Sequence, residues 1–400
     1  MQNLKNKKII YYSHLFSGLE TSIIKKKWSP TGAPTIYKIL EKLDIEFDLT
    51  IILCLKNREE IYKNRKVNKL KVDKLNATIY LIPFFFRKKN ILTKIISEIM
   101  QFIIFYKIYL KIKPKIIYLS NSNILQLPLI SFFTRSKRIL RIMGIYDNMK
   151  KLNDISFSIF KLKNIYLKFC YSIFNDHTIV TQDGSGSEIW VKNILKKKSS
   201  FSIMLNGITN NISMPSKKKV FDKYNIELLM KKKLILFVGR LEEKKGILEF
   251  TNSLNKLLKI RDDFSVIIIG SGVLEEKVLK FINKYPHLNI INIKKVPHNE
   301  INFFFNNAYI YVSLNKRGNL SNTNLEALNN NCAMIIPSSQ KQKDIDIYTD
   351  IFLDNKTVIR IENDDIEYAL TKKLEYILSN ENKINEIKKN ISDFVHPKLI

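Results

Sequence analysis

"LILFVGRLEEKKG", residues 234–246, decides how the second half of this chain folds. Leu234 to Val238 read as a buried strand, Gly239 and Arg240 end it, an acidic turn follows, and Lys245-Gly246 open a helix. A strand feeding a helix is half of a strand-helix-strand unit, and such units build parallel sheets with helices on both faces. The rhythm continues through "FSVIIIG", "LNIINIK", "AYIYVSL" and "AMIIPSS". It is also present earlier, in "KIIYYSH", "FDLTIILCL", "ATIYLIPFF", "KIIYLSN", "KRILRIMG" and "HTIVTQD". Between the two series lies a polar, lysine-rich stretch from Asn210 to Lys219. The expectation is therefore an α/β chain of two doubly wound Rossmann-like domains joined by one linker, an arrangement that invites a cleft between them. The expected divisions are 1–210, a linker at 211–222, 223–385, and a helix or tail at 386–400.

Length agrees, because 400 residues exceed what one core usually holds. No apolar run reaches the roughly 20 residues that span a bilayer. The basic, then apolar start "MQNLKNKKIIYYSHLFSG" lacks a small-residue cleavage site and reads as a first strand, Lys8 to His14. Cys54, Cys170 and Cys332 share no close spacing, which suggests neither a metal site nor a disulfide framework and fits a reducing cytoplasm.

Charge is uneven. Residues 1–200 hold 37 basic and 14 acidic side chains, a net +23; residues 201–400 hold 30 and 23, a net +7. A Lys-, Ile- and Asn-rich chain is what an AT-rich genome encodes, and its lysines can simply coat the surface. A positive field also attracts nucleic acid or an anionic membrane. The densest pattern, residues 84–115, sets Lys94, Lys107, Lys111 and Lys113 among apolar and aromatic residues with Glu98 as the one acid. It reads either as an interfacial helix on lipid phosphates or as a core helix with snorkelling lysines. RNA-recognition, zinc-finger and basic-zipper signatures are missing.

Ligands of open parallel sheets sit beyond the carboxyl ends of the strands. Arg240 and Lys245, beside a helix N-terminus, would there suit a diphosphate, unless the segment is only a basic surface turn. Gly270, in "IIIGSG", allows close backbone approach but lacks the rest of a dinucleotide fingerprint. After "YIYVSL", Gly318-Asn319-Leu320-Ser321-Asn322 leads into a helix carrying Glu326. Its amides can face phosphates and its carboxylate can accept two hydrogen bonds from a vicinal diol, or it is an ordinary capped helix with an early glutamate.

Taken together, "VGRLEEKKG" and "NLSNTNLEAL" resemble the motifs of the family 4 glycosyltransferases, retaining enzymes of GT-B architecture that use nucleotide sugars. The resemblance implies that Arg240 and Lys245 bind the donor diphosphate and serve as the catalytic pair. It implies that Glu326 holds the donor ribose, with Gly239, Gly270 and the amides of Asn319, Leu320, Ser321 and Asn322 around the donor. "KKVPHNEI" resembles the segment lying against the base, around Val296 and Pro297, and "LNGI", Leu205 to Ile208, matches the usual end of the first domain. On the acceptor side, Gly32, Ala33 and Pro34 stand where relatives turn a glycine-rich loop, although Pro34 also fits a plain helix start. Two departures are Gly318, where many members carry a second glutamate, and Met143, before Gly144, where many carry a histidine.

The expectation is a retaining glycosyltransferase moving a sugar from a nucleotide-diphosphate donor, a UDP-sugar first, to a hydroxyl of a lipid-linked glycan in bacterial surface polysaccharide synthesis. The partners implied are that donor, that acceptor and an anionic membrane surface, with no nucleic acid. No cofactor or metal is expected, and the location is the cytoplasmic face of the plasma membrane. A nucleotide-sugar epimerase of the same fold, or a basic nucleic-acid-binding protein, are the other readings.

Overall fold

The computed structural model describes residues 7–16, 18–30, 34–56, 66–86, 90–120, 126–144, 169–171, 176–195, 200–208, 215–286, 288–354 and 356–396. Contacts divide the chain into two compact units, one of residues 1–181 and 187–204, the other of 182–186 and 205–400.

The first unit holds β1 (Lys8–His14), β2 (Asp48–Cys54), β3 (Asn68–Val72), β4 (Leu75–Ile82), β5 (Ile116–Ser120), β6 (Lys137–Ile142), β7 (His177–Thr181) and β8 (Phe201–Met204). They lie in the order β3-β4-β2-β1-β5-β6-β7-β8, parallel except for β3, which runs antiparallel to β4. Alternation along a strand sends neighbours to opposite faces, so in β1 Ile10 and Tyr12 join one core while Ile9 and Tyr11 join another. Both faces are buried, which is why the strand reads as a continuous apolar run. Helices α1 (Glu20–Ile24), α2 (Pro34–Glu46), α3 (Ile91–Ile112), α4 (Leu127–Phe133) and α5 (Ser187–Ile194) cover the sheet. Asn90 caps α3 by accepting the Thr93 N–H, and Lys113, in a left-handed conformation, closes it.

The second unit's sheet contains β9 (Lys233–Val238), β10 (Phe264–Ile269), β11 (Ile290–Ile293), β12 (Ile310–Val312), β13 (Met334–Pro337) and β14 (Ile359–Ile361), all parallel, in the order β11-β10-β9-β12-β13-β14. Its helices are α6 (Lys217–Tyr224), α7 (Ile247–Leu257), α8 (Glu275–Asn283), α9 (His298–Asn307), α10 (Asn322–Asn329), α11 (Ile347–Phe352), α12 (Ile366–Ser379) and α13 (Glu381–Asn390). One core runs through this unit.

Every strand expected from the sequence is present, and the three additional ones, β3, β8 and β14, are all at sheet edges. An edge strand buries less side-chain surface, so "NKLKV", "FSIM" and "IRI" carry weak apolar signals. The expected linker at 211–222 is corrected in part: α6 begins at Lys217 and buries Val220 in the second core, while 209–214 lie outside the described residues. Of the expected helix or tail at 386–400, residues up to 396 are helical, and Ile387, Ile391 and Val395 belong to that core. Residues 182–186, expected in the first domain, pack on the second unit.

Candidate functional site

Four connections of the second unit leave neighbouring strand ends on the same side of its sheet. Gly239 and Arg240 follow β9, Gly270 follows β10, Val296 and Pro297 follow β11, and Gly318 to Asn322 follow β12. The strand order β11-β10-β9-β12 brings these segments together, so all donor-side residues expected from the sequence collect at one carboxyl edge. Gly270 is needed for the approach, because with φ at +150° a Cβ there would stand 1.9 Å from the Gly239 carbonyl oxygen. Gly246 starts α7 with φ at +72°, and its missing side chain makes room for Leu314.

The turn after β9 is a cluster of cations. The Arg240 guanidinium, 65% exposed, lies 3.0 Å from Glu242, whose other oxygen is 2.6 Å from Lys244 Nζ. Lys244 hydrogen-bonding and the surrounding cations hold the Glu242 carboxyl below the usual range. Lys245 differs from both neighbours. Burial, then repulsion from Arg240 and Lys244, pushes its ammonium from 10.5 down to about 8, with Glu242 and Asp183 offsetting only part. An under-solvated ammonium held beside two other cations is a site that gains from a polyanion.

Ser321 caps α10 by accepting the Asn324 N–H at 3.4 Å. Glu326 lies about one turn further on, its side chain 17% exposed, and its Oε1 is 2.8 Å from His298 Nε2 at the start of α9. His298, which the sequence reading passed over, therefore holds the carboxylate expected to bind ribose. Its only sequence signal is its place directly after Pro297. Val296 packs on the core and Pro297 is exposed beside it.

One expectation is corrected. Of the four amides from Asn319 to Asn322, the first two are already used inside the protein. Asn319 N–H donates to Asp346 Oδ1 at 2.6 Å, and Leu320 N–H donates to the Asp183 carbonyl at 3.1 Å. Both residues are fully buried, and Leu320 serves as core. Ser321 and Asn322 are partly exposed, and Asn206 donates to the Asn322 side chain. Asp346 also accepts from Asn319 Nδ2 at 2.6 Å and from Thr349 Oγ1 at 2.7 Å; burial still pushes its carboxyl up.

The same packing accounts for Gly318. With φ at +121°, a Cβ there would lie 2.5 Å from the Asp183 carbonyl and 2.7 Å from Gly184 carbonyl carbon. The segment "DGSG", Asp183 to Gly186, occupies the space that a side chain at 318 needs. Gly184 is itself locked, since a Cβ on it would meet Asp346 Oδ1 at 2.4 Å.

In the first unit, Met143 directly follows β6 and packs against the core, and Gly144 comes next, exposed, with φ at +66°. Pro34 is the first residue of α2, while Gly32 and Ala33 lie outside the described residues.

The fold is the GT-B type of α/β architecture, as solved structures spanning the whole chain show. Sucrose-phosphate synthase from Thermosynechococcus elongatus superposes with a TM-score of 0.67 at 11% identity, covering 98% of this chain and 96% of that one. Anabaena HepE in complex with UDP-glucose gives 0.65 at 10%, covering 98% and 95%. A glycosyltransferase from Rickettsia africae gives 0.60 at 17%, covering 99% and 95%. No curated protein matches the chain in sequence. More particularly, residues 219–394 match the family model described as glycosyl transferases group 1. The second unit thus carries a glycosyltransferase group 1 domain, and the protein is an enzyme of the glycosyltransferase class.

Proposed function

We propose that the chain is a retaining, family 4-type glycosyltransferase taking its sugar from a nucleotide-diphosphate donor, with a UDP-sugar as the first candidate. The observation that carries this reading is the meeting of Arg240 and Lys245 with the Ser321–Glu326 helix start at one sheet edge: cations for two phosphates, a carboxylate for a ribose. Structures of similar fold described as complexes with UDP and with UDP-glucose support the choice of nucleotide. In the reaction, the bond between the sugar's anomeric carbon and the diphosphate oxygen breaks. A bond to the acceptor oxygen forms on the same face, and the acceptor proton passes to the departing diphosphate. Arg240, Lys245 and the start of α10 stabilise the charge that develops there, in place of a metal ion. Met143 can supply neither acid nor base, so the leaving group itself takes the proton.

The acceptor in this reading is a hydroxyl of a lipid-linked glycan in bacterial surface polysaccharide synthesis. The enzyme works on the cytoplasmic face of the plasma membrane, bound to anionic lipid through residues 84–115. Among the described residues no helix is long and apolar enough to cross a membrane. The face of α3 supports the reading with one change. Lys107 and Lys111 flank its exposed side and Lys113 ends it, whereas Lys94 stands one turn before the buried Ser97 and Glu98, on the opposite flank.

The test is calorimetric titration with UDP, GDP, ADP and CMP, then product analysis with the best-bound nucleotide's sugars. Saturable binding of one nucleoside diphosphate, lost in Arg240→Ala, is expected. A released sugar isomer without transfer would instead assign an epimerase. Polynucleotide binding with steep salt dependence, and no nucleotide binding, would overturn the reading.

A further inference from the structure

Much of α3 is left uncovered. Leu92, Ile99, Ile103 and Leu110 are 65%, 46%, 48% and 51% exposed, at helical spacing that sets them in one line. The helix is roughly 33 Å long at 1.5 Å per residue, so the line extends along most of it. The apolar surface continues onto the end of α4. Phe133 packs on Phe102 and Tyr106, with ring centroids 5.9 and 6.1 Å apart, yet Phe132 and Phe133 remain 71% and 55% exposed.

At the far end of that line the surface turns cationic. A groove of about 830 Å³ is lined by Lys7, Lys113, Lys115, Arg135 and Lys137, and among the described residues no carboxylate lines it. The fold sets it at the amino ends of β1, β5 and β6, where Lys115 N–H bonds the Lys8 carbonyl and Lys137 N–H bonds the Lys115 carbonyl. Tyr109 fixes one wall by accepting from Arg135 N–H at 3.1 Å and from Ser136 Oγ at 3.4 Å. Of the acids near it, Asp176 is held by Arg138 at 2.6 Å, and Asp48 is the register partner of Lys8 across the strand pair. Leu110 lines the groove and ends the apolar stripe, so both form one continuous surface.

We propose that this groove seats the phosphate-bearing headgroups of an anionic lipid surface, while the α3 stripe and Phe132–Phe133 enter the apolar boundary beneath them. It rests on the membrane reading above and deepens it, moving the main charge contacts to residues beyond α3. Lipid is the occupant because one patch offers both chemistries a bilayer interface has, an anionic layer over hydrocarbon. A polynucleotide would match the cations but leave the aliphatic stripe in water.

The test is sedimentation of the full chain with phosphatidylcholine vesicles containing increasing phosphatidylglycerol. One variant carries Lys113→Gln, Lys115→Gln, Arg135→Gln and Lys137→Gln; a second carries Phe132→Ser and Phe133→Ser. A control removes three exposed lysines of the other unit by Lys217→Gln, Lys218→Gln and Lys219→Gln. Thermal midpoints check that each variant folds. Each groove cation should be worth roughly fivefold in partitioning, so the first variant should lose at least 100-fold while the control holds wild-type binding. The phenylalanine variant should weaken binding and leave its salt dependence intact. Equal losses in groove variant and control would overturn the groove but leave general charge attraction to the membrane. Absence of vesicle binding by wild type would overturn both. Tight binding of free glycerol phosphate or of polynucleotide, lost in the groove variant while vesicle binding is untouched, would reassign the groove.

Discussion

Lys245 stands against its own charge, and Lys245→Met measures how strongly. At pH 7 the ammonium is protonated in both folded and unfolded chains, but folding has moved its titration from 10.5 down to about 8. Holding the proton on the folded side therefore costs about 3 kcal/mol, at 1.36 kcal/mol for each pH unit. Methionine keeps a similar stem without the charge, so the variant's second unit should gain up to about 3 kcal/mol at pH 7. In a unit of this size that raises the melting temperature by roughly 2–4 °C per kcal/mol. Between pH 8 and 10.5 the unfolded chain holds the proton that the folded chain has lost, so wild-type stability rises with pH through that window. The advantage of methionine is full below about pH 8 and gone above pH 10.5. Diphosphate binding should move oppositely, weakening by about 1.5–3 kcal/mol as a charge-assisted contact is lost. Scanning calorimetry at pH 7 and pH 10, with nucleoside-diphosphate titrations, reads both effects. A variant no more stable than wild type at pH 7, or one that binds diphosphate unchanged, refutes the picture of a desolvated cation kept for a polyanion.

Other outcomes follow from the same geometry. Glu326→Gln should penalise a ribonucleoside diphosphate more than its 2′,3′-dideoxy analogue, and equal losses would remove the carboxylate from the ribose. His298→Ala should weaken ribonucleotide binding by about 1 kcal/mol through loss of the bond that orients Glu326; if so, His298→Gln should recover part of it in the same titration. Gly318→Ala and Gly184→Ala each force a side chain into the left-handed region against backbone or Asp346, at about 1–3 kcal/mol from strain alone. Unchanged unfolding midpoints in both would mean that segment 182–186 does not pack on the Asn319 loop.

The sequence by itself determined the two parallel sheets, because strands buried on both faces, such as β1 and β10, must be apolar at every position. It also determined the glycine-ended, cationic turn at 239–246 and a helix start capped by Asn or Ser ahead of Glu326, which the structure assigns to Ser321. Each is a local matter of a glycine, a cap residue and charges within a few positions. Only the tertiary structure decided which of those groups remain free to act. Asp346 and the Asp183 carbonyl reach the Asn319 and Leu320 amides from 27 and 137 positions away, and no local pattern announces them. The same holds for the His298–Glu326 bond, 28 residues apart, and for Lys245, whose lowered titration depends on what is packed around it. In α3 the pattern of apolar residues and lysines fitted either a core helix or an interfacial one. The Leu92–Leu110 line proves to be exposed, which the sequence could not say, because side-chain spacing fixes which residues share a face and only packing fixes whether that face is covered.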